Sequence, residues 1–172
     1  PLLNDISFSQ AVYDRNGTLL RLTLSTDEKF RARTSISEIS PYLIRTTLLK
    51  EDRYFKWHPG FNPVGLLRAF WKTYVTKTQR TGGSTITMQL ARIRFGIDSR
   101  TIPGKVKQIW RAVQIEYHYS KSEILEAYLN LVPYGRNIEG AGAASLIYFH
   151  KNPHQLNLLE SCLLYTSDAA DE

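Results

Sequence analysis

Apolar residues fall at helical spacing through most of the 172-residue chain, and only its first part reads as strand. Ala11 to Leu24 forms a hairpin pattern: Val12 and Tyr13 lead into Asp14-Arg15-Asn16-Gly17, and Leu19 to Leu24 return. Asn-Gly marks the turn because both residues tolerate positive φ. Residues 25–37 are polar and predict no regular element. Ser40-Pro41 then opens a helix, with Ser at the N-cap and Pro at the first helical position. On it Leu43, Thr47 and Lys50 share one stripe, and Ile44, Leu48 and Leu49 make the expected core face. His58-Pro59-Gly60 ends that segment, and Asn62-Pro63 begins another helix. Its Val64, Leu66, Leu67, Phe70, Trp71, Tyr74 and Val75 are interleaved with Arg68, Lys72 and Lys77.

Further helices follow in TITMQLAR after Gly82-Gly83-Ser84, and from Pro103 through Trp110 to Tyr119. Ser120 with Glu123 is a capping box for ILEAYLNLV, and Asn157 with Glu160 is another for LLESCLL. Between them GAASLIYF is a helix of small residues that can approach its neighbours closely. The sum is a mainly α chain with a short N-terminal β-hairpin and no internal repeat.

Composition adds three constraints. The length suits one domain with a real core. A net charge of +6 favours polyanionic partners such as phosphates or an acidic membrane surface, and no nucleic-acid fold signature accompanies it. Cys162 is the single cysteine, which excludes an internal disulfide and a cysteine metal cluster; its apolar run predicts a buried, inert thiol. No run of residues approaches a membrane span. The chain begins at Pro1, consistent with a processed form or fragment whose membrane anchor lies upstream.

The candidate chemistry lies in three places. EDRYFKWHPG, residues 51–60, carries Glu51, Asp52, Arg53 and His58 at the end of an apolar helix. It fits either a solvated helix end rich in charge or a general base opening on a loop. Gly82-Gly83-Ser84-Thr85 offers N–H groups, hydroxyls and a helix N-terminus to an anion, although a flexible N-cap explains it equally well. Arg92, Arg94, Arg100, Lys105, Lys107 and Arg111 form a basic stretch relieved only by Asp98. The aromatic-basic helix from Pro63 to Lys77 fits a membrane interface or an amphipathic core helix.

Five ordered motifs resemble the peptidoglycan glycosyltransferases (glycosyltransferase family 51), the polymerase module of class A penicillin-binding proteins and monofunctional transglycosylases. EDRYFKWHPG resembles Glu-Asp-x-x-Phe-x-x-His-x-Gly. GGSTITMQLAR resembles Gly-Gly-Ser-Thr-x-x-x-Gln-x-x-Lys, with Arg92 for Lys. GKVKQ, residues 104–108, sits where the family has Arg-Lys-x-x-Glu. ILEAYLNLVPYG and GAGAASLIYFHKNPHQL resemble the fourth and fifth motifs, with His150 where Gly is usual. MQLAR, GKVKQIWRA and GAGAAS look most like the penicillin-binding protein 1C branch. The resemblance covers residues 1–164 as one domain, incomplete at its C-terminal end. Residues 165–172, YTSDAADE, do not match and read as a truncation artefact.

The resemblance implies a lysozyme-like helical glycosyltransferase fold at the outer, periplasmic face of the bacterial cytoplasmic membrane. It implies inverting transfer that polymerises lipid II into β-1,4 glycan strands, with undecaprenyl diphosphate as leaving group. Its partners would be lipid II, the growing strand and the membrane surface, with an N-terminal anchor and a C-terminal transpeptidase domain in the longer protein. Glu51 matches the general base, which the acceptor hydroxyl needs because its pKa lies far above 7. Asp52 matches the residue beside it, orienting the acceptor or a metal. Phe55 and His58 match positions that shape the loop. Ser84, Gln89, Arg92 and Arg100 match positions lining the diphosphate site, and Lys105 is a further candidate. The diphosphate leaves as a stable anion and needs positive charge rather than a proton. A divalent cation, Mg²⁺ or Mn²⁺, is implied by the family, but Gln108 replaces the usual Glu and is a poorer ligand. Weak dependence on the ion is therefore expected, with Gln108→Glu raising it.

Two other readings compete. A lysozyme-like glycan-cleaving enzyme would use the same single Glu as an acid, but a neutral glycan needs no cation cluster. A non-catalytic module that binds lipid II or scaffolds a complex would tolerate Gln108.

Overall fold

The computed structural model describes residues 2–16, 19–65 and 83–167, with side chains through residue 164. It is mainly helical with one antiparallel hairpin, as expected. Strand β1 (Ala11–Tyr13) pairs with β2 (Leu19–Leu22), Ala11 opposite Leu22 and Val12 opposite Arg21. The Asp14 carboxylate accepts from the Asn16 N–H at 2.8 Å and begins the reversal; Gly17 lies outside the described residues. The helices are α1 (Pro41–Glu51), α2 (Ile86–Phe95), α3 (Ile102–His118), α4 (Lys121–Leu131), α5 (Ala141–Phe149) and α6 (Leu158–Ser167). The aromatic-basic helix expected from Pro63 falls beyond residue 65 outside the described residues; within them, Asn62 caps its start by accepting from the Gly65 N–H at 3.0 Å.

Local sequence explains the helix ends. Thr85 caps α2 by accepting from the Met88 N–H at 3.1 Å. Thr101 caps α3 by accepting from the Gly104 N–H at 3.1 Å, with Pro103 in the first turn. Both expected capping boxes form. Ser120 N–H donates to Glu123 at 2.8 Å and Asn157 N–H to Glu160 at 3.0 Å, each reciprocated by the glutamate's own N–H.

Contacts group the chain into two compact units, one of Pro1–Thr47 with Leu125–Glu172 and one of Leu48–Ile124. In the first, α5 buries Ala141, Gly142, Ala143, Ala144, Ser145 and Leu146. A Cβ on Gly142 would lie 2.2 Å from Thr34 Oγ1 and 2.5 Å from the Ala32 carbonyl, so the small-residue helix does admit a close neighbour. The polar segment 25–37 is ordered by buried partners. Asn130 accepts from the Thr34 N–H at 2.9 Å and donates to the Thr34 carbonyl at 2.8 Å. Arg31 donates to Glu139 at 2.6 Å and grips Asp27 through two nitrogens at 2.9 and 2.7 Å.

The Arg31 hydrogen bonds, helped by Ser25, hold the Asp27 carboxyl at a pKa of about 2. A carboxyl depressed on folding adds stability above its unfolded pKa and loses it as pH falls through the folded value. The expected result is that stability lost by wild type between about pH 4 and pH 2 is partly absent from the Asp27→Asn variant. Acid titration of both, followed by circular dichroism, checks it; parallel curves would count against it.

Two expectations need correction. On α1 the buried residues are Leu43 and Thr47, whereas Leu49 is 57% exposed and Ile44 and Leu48 are intermediate. The helix is rotated so that the stripe read as secondary faces inward. Cys162 is exposed rather than buried. On α6 the buried positions are Ser161 and Leu164, three apart, and Cys162 turns about 100° away from Ser161.

The second unit packs α2 against α3. Ile86, Met88, Leu90 and Ala91 bury one face of α2, and Gln108, Ala112 and Ile115 bury one face of α3. Gln108, 1% exposed, donates from Nε2 to the Met88 carbonyl at 2.7 Å.

Candidate active site

Glu51 is the last residue of α1, and the chain leaves the helix there through a series of turns to Gly60. Phe55 anchors those turns at 3% exposure. Gly60 has φ +93°, and a Cβ there would lie 2.8 Å from the Ala112 carbonyl. Glycine therefore meets both a backbone and a packing requirement where the loop touches α3.

Asp52, 7% exposed, ties the loop to α2. His58 Nε2 lies 2.8 Å from its Oδ2, and the same oxygen accepts from the Ile86 N–H at 3.0 Å. The carboxylate thus caps the first turn of α2 from outside, where N–H groups lack helical partners. Thr85 adds a second tie by donating to the Gly60 carbonyl at 2.6 Å. His58 Nδ1 accepts from the Gly60 N–H at 3.1 Å and closes the loop on itself.

These ties set the start of α2 against the end of α1. One turn into α2, Gln89 donates from Nε2 to Glu51 Oε2. A neutral amide holds the carboxylate in one orientation without supplying a charge that would neutralise it.

One lysine reaches the start of α2, and an arginine lies on its last turn. Lys105 Nζ donates to Ser84 Oγ at 2.7 Å. Burial, and then the nearby Arg92 charge, push the Lys105 ammonium below the usual lysine range. Two cations close enough to repel, beside a hydroxyl, favour an incoming anion. Of the predicted anion-binding residues, the structure brings together Ser84, Arg92 and Lys105. It does not bring in Arg100, which is exposed on the turn before α3 and whose N–H donates to Asp98. Gly82 lies outside the described residues.

Gln108 sits apart from both groups' polar contacts. Its amide nitrogen bridges to α2, and its buried Oε1 has no hydrogen-bond partner among the described residues. Asp52 and Gln108 present few free donors to a divalent cation. Both Asp52 oxygens face His58, one also takes the Ile86 N–H, and Gln108 presents a carboxamide. Among the described residues no three His, Cys, Asp or Glu side chains converge.

Sequence reasoning missed a strut behind the loop. Lys121 Nζ donates to the His58 carbonyl at 2.7 Å and to Glu116 Oε1 at 2.7 Å, and lies 4.7 Å from the Phe55 ring centroid. Thr87 donates to the same Glu116 oxygen at 2.6 Å. No local pattern marks Glu116 or Lys121, because they act across a helix break.

Beside this geometry, known proteins are similar to the chain in sequence. The model of the transglycosylase family matches residues 16–170. Over 94% of its length the chain is 38% identical to penicillin-binding protein 1C of Escherichia coli, covering 21% of that protein. It is 36% identical over 89% of its length to penicillin-binding protein 1A of the same organism, covering 18% of it. It is 34% identical over 94% of its length to penicillin-binding protein 4 of Bacillus subtilis, covering 26% of it. The chain therefore spans about a fifth to a quarter of these relatives, and it belongs to the transglycosylase family.

Proposed function

We propose that this chain is a peptidoglycan glycosyltransferase domain that extends glycan strands from lipid II. The observation that carries the reading is the pairing of one amide-held carboxylate, Glu51, with the Ser84, Arg92 and Lys105 group. Glu51 takes the proton of the acceptor sugar hydroxyl as its oxygen attacks the donor's anomeric carbon. The bond to the diphosphate breaks on the opposite face, and the departing anion gains its stabilisation from Arg92 and Lys105. No acid is needed for such a leaving group, so a second carboxylate is not required, unlike in glycosidases. Asp52 and His58 serve by fixing the loop, and Gln108 by joining α2 to α3.

The test is incubation with lipid II. Long strands are expected; shortening of added finished glycan instead would favour the cleaving enzyme. Because the donors fit a divalent ion poorly, EDTA is expected to leave the rate unchanged. A loss restored by Mg²⁺ would overturn that part.

Lys105 gives a pH prediction. Its ammonium binds the anion only while protonated, and its pKa is lowered. The alkaline limb of the rate profile should therefore lie below lysine's ordinary range. Lys105→Arg keeps its charge at all working pH and should move that limb upward; an unmoved limb would remove Lys105 from the site.

We place the domain at the outer face of the cytoplasmic membrane, as a lipid-borne substrate requires. Among the described residues no helix is long and apolar enough to cross a membrane.

A further inference from the structure

A closed ring of contacts passes through the first turn of α2. Lys121 Nζ holds the His58 carbonyl at 2.7 Å, the His58 ring meets Asp52 at 2.8 Å, and Asp52 takes the Ile86 N–H at 3.0 Å. The next residue, Thr87, donates to Glu116 Oε1 at 2.6 Å, and Lys121 donates to that same oxygen at 2.7 Å. The loop, α2, α3 and α4 each supply a member. Thr87 is fully buried, and the Glu116 side chain is 10% exposed, so water competes poorly for these bonds. Lys121 supplies the charge that a buried Glu116 requires.

The ring grips α2 on the side away from Glu51. Thr87 and Gln89 are two residues apart, so at about 100° per residue they point roughly 160° apart around the helix axis. Thr87 turns to Glu116, and Gln89 donates to Glu51 Oε2. The Ile86 N–H lies close to the axis, so its bond to Asp52 fixes where α2 begins more than how it is rolled. Thr87 Oγ1 reaches further out, and its bond is directional where the apolar contacts of α2 are not. A roll of about 20° would move a side-chain tip about 5–6 Å from the axis by about 2 Å. That is enough to separate the Gln89 amide from the Glu51 carboxylate.

We propose that Thr87, Glu116 and Lys121 are positioning residues that set the roll of α2 and so aim the Gln89 amide at Glu51. The inference deepens the function proposed above and rests on it only for its kinetic consequence. Its structural half is read without substrate, so the two can fail separately.

The experiment follows the Gln89 side-chain amide of the full chain by proton–nitrogen correlation NMR, with Glu51→Ala marking the signal once its acceptor is gone. Thr87→Val removes the hydroxyl and keeps the volume, whereas Thr87→Ser keeps the hydroxyl and removes a buried methyl. The Val variant is expected to move the Gln89 signal toward its Glu51→Ala position, and the Ser variant to leave it near wild type. A role in packing alone predicts the reverse order; that result, or an unmoved signal in the Val variant, would overturn the proposal. Lys121→Met, which cuts the ring at its other end, should move the signal in the same direction. With lipid II, Thr87→Val should lower kcat by about 10–10²-fold at nearly constant KM. In a Gln89→Leu background the same substitution should cost little more, because its target is already gone; full additivity would overturn the proposal. A wild type that extends no lipid II would end the functional reading and leave the NMR comparison to decide the positioning.

Discussion

Glu51→Gln is expected to lower the rate of strand extension by about 10²–10⁴-fold while leaving the fold and substrate affinity nearly unchanged. The two side chains have the same shape, and the carboxamide oxygen can still accept from Gln89. What disappears is the capacity to take a proton as the acceptor oxygen attacks. The loss should therefore fall on kcat, with KM close to wild type. Thermal unfolding and single-turnover kinetics with lipid II would check both halves. A variant with wild-type kcat would remove Glu51 from the chemistry. If neither protein extends lipid II and both bind it equally, the domain is a binding module.

Asp52→Ala is expected to have the largest effect on stability. The carboxylate is 7% exposed and meets both His58 and the Ile86 N–H. Its loss leaves two buried polar groups without their partner, at a cost of about 3–5 kcal/mol. For a chain of this size Tm should fall by roughly 10 °C. Activity should fall too, because the anchor that sets α2 against the end of α1 also sets Gln89 against Glu51. Asp52→Asn keeps one acceptor oxygen and should recover part of the stability. A direct metal-ligand role predicts something else: near-normal Tm, with activity that returns at high Mg²⁺.

The helices were legible because their ends are chemical. Ser120 with Glu123, Asn157 with Glu160, and Pro103 in the first turn of α3 state their positions locally, and all appear where expected. Which face of α1 turns inward was not legible. Leu43 with Thr47 and Ile44 with Leu48 are adjacent stripes, the second the more apolar, and which one turns inward depends on what packs against them. Cys162 failed for the same reason, since an apolar run does not say which side of a helix is covered.

The site was legible as a set of residues but not as a set of contacts. Glu51 and Gln89 could be singled out, yet their meeting depends on Asp52 reaching a backbone N–H 34 residues away. Arg100 belonged to the basic stretch by spacing, and the turn before α3 carries it outward. Glu116 and Lys121 left no trace, because a strut between a loop carbonyl and two helices has no local pattern.

The Gln89 contact distinguishes the two oxygens of Glu51. Oε2 is occupied by the amide, and among the described residues Oε1 has no hydrogen-bond partner. If Glu51 is the base proposed above, a proton taken from the acceptor would arrive on Oε1 and depart from it, and the hydrogen bond from Gln89 need not break during a round of addition. The side chain can reload without swinging, so a processive enzyme would begin each new sugar with its base already aimed.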